Sequence, residues 1–201
     1  MSDRRNFLKT SALLGAASVM TTNALSAREL AQQKGAEGVQ SYRRLGRTEL
    51  MISDISFGTS RLRTGQEHLI DHALDRGVNY IDTAEGYTRG QSEKVIGRAL
   101  KGKRDKAYLV SKTMTRASTS ADKLMRDLEH SLKSLQTDYV DIYMNHAVND
   151  VGVVANPEWQ TFVDRARSQG KIRFTGISGH AGNLVDCLDY AIDENLIEVI
   201  L

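Results

Sequence analysis

Asp82, Tyr87, Lys112 and His146 are an acid, a phenol, an amine and an imidazole, each placed where a short apolar run gives out. Asp82 and Tyr87 lie in Ile81-Asp82-Thr83-Ala84-Glu85-Gly86-Tyr87, directly after Val78-Asn79-Tyr80. Lys112 closes Ala107-Tyr108-Leu109-Val110-Ser111-Lys112. His146 closes Tyr139-Val140-Asp141-Ile142-Tyr143-Met144-Asn145-His146. Such a set could pass a proton to a carbonyl oxygen while a hydride arrives at its carbon. A free phenol, with a pKa near ~10, gives up its proton reluctantly, and a nearby ammonium would favour the phenolate and lower that value. On this reading Tyr87 is the proton donor and Lys112 supplies the charge. Asp82 holds Lys112, and His146 donates to the substrate oxygen and orients it. Taken singly, each residue has an ordinary structural use, as a packing tyrosine, a turn cap, a solvated lysine or a core histidine. Their joint occurrence at successive strand ends is the signal.

The elements that must position them alternate. β-branched or aromatic runs centre near Ile55, Tyr80, Leu109, Ile142, Phe174 and Val199, spaced by roughly one strand–helix unit. Helix-period segments separate them, over Gln66 to Arg76, Ser92 to Leu100, Ser120 to Leu135, Glu158 to Gln169 and Ala181 to Glu194. The third carries Leu124, Leu128, Leu132 and Leu135 on one face. The fourth follows Pro157 and is stopped by Gly170. Strands apolar on both faces, alternating with helices, predict a parallel sheet covered by helices. An open dinucleotide-binding sheet should show a G-x-G-x-x-G turn after its first strand. This chain has Phe57-Gly58-Thr59-Ser60-Arg61-Leu62 there instead. Polar groups at the ends of several different strands point to a (β/α)8 TIM barrel. About six of its eight units are present, with Ile197 to Leu201 as the sixth strand, so the chain is expected to be a C-terminally truncated piece of a longer enzyme.

The 201 residues carry a formal net charge of +2 with both signs interspersed, which gives no reason to expect nucleic-acid binding. The single cysteine, Cys187, excludes an internal disulfide and sits at a helix core spacing. Residues 1–26 read as an export signal. Arg4-Arg5 precede Phe7-Leu8-Lys9, a mildly apolar stretch runs to Met20, and Ala24-Leu25-Ser26 offers a cleavage site. The paired arginines point to the twin-arginine route and a periplasmic or otherwise exported protein. The stretch is too short and polar for a stable membrane span. A polar linker over 27–40 leads into the barrel domain at 41–201.

Ile81 to Tyr87, Ser111-Lys112 and Asn145-His146, together with Gly170-Lys171-Ile172-Arg173-Phe174-Thr175-Gly176-Ile177-Ser178, resemble the aldo-keto reductases from about Tyr42 to Leu201. The resemblance implies NADPH or NADH as cofactor and a small-molecule aldehyde or ketone as substrate. Tyr87 would be the general acid, Lys112 and Asp82 its tuners, and His146 the orienting group. Cofactor contacts would fall on Gly58, Thr59, Asp82, Ser178 and Gly179, although position 179 is Gly where many members place Asn on the carboxamide. His180, at the mouth of the fifth strand, is a candidate substrate contact. His68 and His72 share a helix without a third ligand, so no metal site is expected. Two rival readings keep the barrel. One is an exported nucleotide-binding or sensory protein without turnover, and the other uses Lys112 as a Schiff-base amine.

Overall fold

The computed structural model describes residues 38–180 and 182–201; the stretch expected to be an export signal and most of the expected linker lie outside the described residues. A hairpin comes first, β1 (Tyr42–Arg44) antiparallel to β2 (Met51–Ser53). Six parallel strands follow in sequence order: β3 (Phe57–Gly58), β4 (Tyr80–Asp82), β5 (Tyr108–Thr113), β6 (Val140–Asn145), β7 (Ile172–Ile177) and β8 (Val199–Ile200). They curl into an incomplete (β/α)8 barrel. The helices between them are α1 (Glu67–Asp75), α2 (Gln91–Ala99), α3 (Ala121–Leu135), the single turn α4 (Val151–Val154), α5 (Pro157–Ser168) and α6 (Leu184–Asp193).

Local chemistry sets the helix ends. Ser120 caps α3 by accepting from the Lys123 amide, and Asn156 caps α5 by accepting from the Glu158 amide. Pro157 then takes the first helical position, where its missing N–H is no loss. Gly170 adopts φ 68° just after α5 and turns the chain back into β7.

Two apolar layers result. Between sheet and helices, Ile81, Leu109 and Tyr143 pack with Val95, Leu124, Leu128 and Phe162. Inside the curl, Val110, Ile142 and Met144 pack with Tyr80 and Val199. Tyr143 therefore faces the helices, 5.7 Å from the Phe162 ring, and Met144 faces the interior. Trp159 packs against Phe162 at 5.3 Å, and Cys187 is fully buried among the residues of α6 and its neighbours.

The hairpin was not expected from the sequence. Its strands have three residues each, with the polar pair Arg43-Arg44 in one, too short to show a period. It closes the interior at the N-terminal end of the sheet. Fully buried Leu50 joins the inner cluster, a burial worth about 1.5–3 kcal/mol. Ser53 and Asn79 exchange two hydrogen bonds beneath β4. The first barrel strand starts later than its apolar centre suggests. Ile55 is 58% exposed, and pairing with β4 begins at Phe57.

Candidate active site

Each strand delivers its polar residue to one end of the sheet because parallel strands all finish there. Asp82 is the last residue of β4, Lys112 the penultimate residue of β5, and His146 follows the last residue of β6. Tyr87 comes in on the turn after β4. Lys112 Nζ lies 2.6 Å from Asp82 Oδ1 and donates to the Thr83 carbonyl at 2.8 Å. The same ammonium donates to the Tyr87 hydroxyl at 3.4 Å and lies 5.0 Å from the phenol ring centre. The His146 ring stands edge-on to Tyr87 at 5.7 Å, and His180 stands 6.5 Å beyond it. All four residues of the expected set come together, with His180 at the rim.

Burial dominates the electrostatics. Lys112 is completely buried, which pulls its ammonium below the usual lysine value despite the opposing pull of Asp82. Burial also raises the Asp82 carboxyl, with Lys112 pulling it back down. The Tyr87 phenol is raised, first by burial and then by the Asp82 charge. This differs from the expectation that Lys112 would lower it. The ammonium is engaged by a carboxylate at 2.6 Å and sits 3.4 Å from the phenol oxygen, so burial and the Asp82 charge outweigh its pull on the neutral phenol. Burial, then the Lys112 and His180 charges, push His146 down to about 4, so its ring is neutral near pH 7.

The expected cofactor positions divide into two kinds. A Cβ on Gly58 would meet nothing within 4 Å, so the end of β3 opens onto free space beside Asp82. Ser178, buried at the end of β7, accepts from the Ala147 amide at 3.2 Å and so fixes the turn after His146. A Cβ on Gly179 would come within 2.3 Å of Leu184 Cδ1, the end of a half-buried side chain, and 3.1 Å of the Val148 carbonyl, so a larger residue here would require Leu184 to move. The Thr59 hydroxyl is already engaged, donating to the Asp82 carbonyl at 2.7 Å and accepting from Ser92 at 2.7 Å. The open strand end at Gly58, beside the Asp82 carboxylate, leaves room for the flat, carboxamide-bearing ring of a nicotinamide. A surface hollow of about 470 Å³ near Leu132, Gln136 and Lys171 lies at the opposite end of β6 and β7.

The turn carrying Tyr87 has a feature that no local pattern announced. Thr88 (φ 49°, ψ 38°), Arg89 (φ 57°, ψ 45°) and Gly90 (φ 77°) are consecutive left-handed residues. For the two non-glycines this costs about 1–2 kcal/mol each, and a β-branched residue is a rare occupant.

Comparison with known proteins places the chain in a family. The model of the aldo/keto reductase family matches residues 54–192, and the chain belongs to that family. It is 35% identical over 153 residues to the aldo-keto reductase YhdN of Bacillus subtilis, covering 71% of this chain and 45% of that protein. It is 39% identical over 118 residues to the methylglyoxal reductase YeaE of Escherichia coli, covering 59% and 37%. Among solved structures, an aldo-keto reductase from Klebsiella pneumoniae in complex with NADPH superposes with a TM-score of 0.64 at 29% identity, covering 77% of this chain and 54% of that one. The chain thus spans about half the length of such relatives.

Proposed function

We propose that this protein reduces an aldehyde or ketone to an alcohol with NADPH or NADH. The observation that carries this reading is the Lys112 ammonium held between Asp82 and the Tyr87 hydroxyl, with a neutral His146 ring on the phenol's other side. A bound reduced nicotinamide supplies the hydride. Gly58, Asp82, Ser178 and Gly179 would hold its carboxamide-bearing ring, with Thr59 supporting Asp82 from behind. The substrate carbonyl oxygen would accept a hydrogen bond from His146, whose neutral ring donates without competing for the transferred proton. A phenol is protonated at neutral pH and burial raises Tyr87 further, so it arrives as a loaded acid. As the carbonyl carbon gains a hydride, its oxygen becomes basic and takes the Tyr87 proton. Lys112 then stabilises the phenolate left behind, a charge it can serve only at that moment. Kinship with a methylglyoxal reductase and with an NADPH-bound reductase supports the same reading.

Following nucleotide oxidation by the protein isolated from its source, across a panel of simple aldehydes, tests it. Tyr87→Phe is expected to lower kcat by about 10²–10⁴ while nucleotide binding survives. Tight nucleotide binding with no turnover on any carbonyl would instead favour a binding protein. Export by the twin-arginine route is part of the proposal and rests on Arg4-Arg5 and the stretch after them. Replacing both arginines by lysine should strand the full-length precursor in the cytoplasm, as read by cell fractionation. Unchanged export would refute the route.

A further inference from the structure

Tyr87 is held in place by a neighbour that has no part in the chemistry. Thr88 takes the left-handed conformation that a β-branched residue avoids, and Arg89 and Gly90 continue it. Strain of this kind persists only where surrounding contacts over-determine it. The contact here is specific. Thr88 Oγ1 donates to the carbonyl of Leu62 at 2.8 Å, with the Tyr87 carbonyl also in reach at 2.7 Å. Leu62 is itself buried in the layer between sheet and helices, so the acceptor sits on fixed ground.

Leu62 is in turn tied back to the site. Its amide donates to the Thr59 carbonyl at 3.0 Å, and both the amide and the hydroxyl of Thr59 donate to the Asp82 carbonyl, at 3.1 and 2.7 Å. The turn after β3 therefore forms a bracket running from Asp82, through Thr59 and Leu62, to Thr88. Asp82 and Tyr87 are joined once by the chain and a second time by this bracket. On its other side the Tyr87 hydroxyl meets Lys112 at 3.4 Å, a long contact that is too weak to hold the phenol alone.

We propose that Thr88 is a positioning residue: its hydroxyl, latched to Leu62, holds the left-handed turn that sets the Tyr87 phenol against Lys112. The Tyr87 and Arg89 amides donate within the turn, to the Ala84 and Gly86 carbonyls at 3.1 Å each, but neither ties it to the turn after β3; released from Leu62, the strained Thr88 would relax and swing the preceding tyrosine. The proposal rests on Tyr87 being the proton donor, and its test separates the two ideas. Thr88→Ser keeps the hydroxyl, Thr88→Val keeps the shape without it, and Thr88→Gly removes both the hydroxyl and the backbone strain.

In the full-length protein, Thr88→Val is expected to lose on the order of 10- to 100-fold in kcat with KM little changed, because the proton donor and not the binding site has moved, whereas Thr88→Gly, free of the strain, should keep more of kcat than Thr88→Val. Thr88→Ser should restore most of kcat. Thr88→Gly should melt no lower than Thr88→Val, since glycine adopts the left-handed region freely, and activities compared well below the melting temperature of each variant separate a moved Tyr87 from lost folding. Crystal structures of the three variants supply a readout independent of turnover. The Tyr87 hydroxyl should leave Lys112 in the Val variant and stay in the Ser variant. A Val variant with wild-type kcat, or with Tyr87 unmoved, overturns the latch. If the wild-type protein reduces no carbonyl, the reaction assignment fails, and the crystallographic comparison still decides the latch.

Discussion

At the scale of single residues, the site is governed by burial more than by pairing. His146 shows this most directly. Its imidazole has an ordinary value of 6.5 and is pushed down to about 4 in the fold, chiefly because burial disfavours the cation. The unfolded chain therefore binds a proton between those values that the folded chain refuses. Stability is unaffected above pH 6.5, falls as the pH drops from 6.5 through 4, and levels off below that. A His146→Gln variant should lose that part of the acid slope, as read by melting temperature across pH 3.5–8. An unchanged slope would show that the ring is not the group being protonated. The residue types of the set and their places at strand ends were legible in the sequence. The direction of the Tyr87 shift was not, because it is set first by burial and then by the Asp82 charge, both of which only folding brings to the phenol.

At the scale of elements, the sheet and its helices meet through polar contacts as well as apolar ones. Glu93, on the buried face of α2, accepts from Ser111 of β5 at 2.7 Å. Ser111 immediately precedes Lys112, so the same strand segment is pinned to α2 on its outer face and to Asp82 on its inner one. Burial raises the Glu93 carboxyl above 4.5, and the Ser111 and Ser131 hydroxyls offset only part of the rise. The folded state thus keeps a proton that the unfolded chain releases, and stability falls as the pH rises above 4.5 through the folded value. Glu93→Gln retains an acceptor for Ser111 and removes the buried charge. It should be more resistant to urea than the wild type at pH 8, with the gap closing towards pH 4.5. A variant that is less stable at every pH would show that the carboxylate itself is needed. Helix boundaries followed the sequence within a few residues, because caps and apolar period act locally. Ser120, Pro157 and Gly170 are cases in point. The single-turn helix α4 escaped notice, since four residues carry no period.

At the scale of the whole molecule, the parallel order of the sheet explains why residues far apart in sequence converge. Six strands in sequence order put every strand end on one rim, so β4, β5, β6 and β7 each add a group to the same mouth. The opposite rim is built for stability. There Asp141 is buried between Arg104 at 2.8 Å and Arg173 at 2.7 Å, and the hairpin seals the interior with Leu50. Among the described residues, β3 and β8 each pair with one neighbour. No helix of the described residues is long and apolar enough to cross a membrane. The polar N-terminal stretch read from the sequence as an export signal lies outside them.

The sequence by itself determined the strand–helix alternation, the residues at the strand ends and the family they resemble. These depend on period, caps and motif, all of which are local. Only the tertiary structure decided how the site is tuned and held. It placed Met144 inward and Tyr143 against the helices, closed the interior with a hairpin, and engaged the Thr59 hydroxyl behind Asp82. It also drew Thr88 into a left-handed turn latched to Leu62. The physical reason is the same in each case: burial, charge sharing and backbone strain are set by neighbours brought close by folding, and chain order does not record those distances.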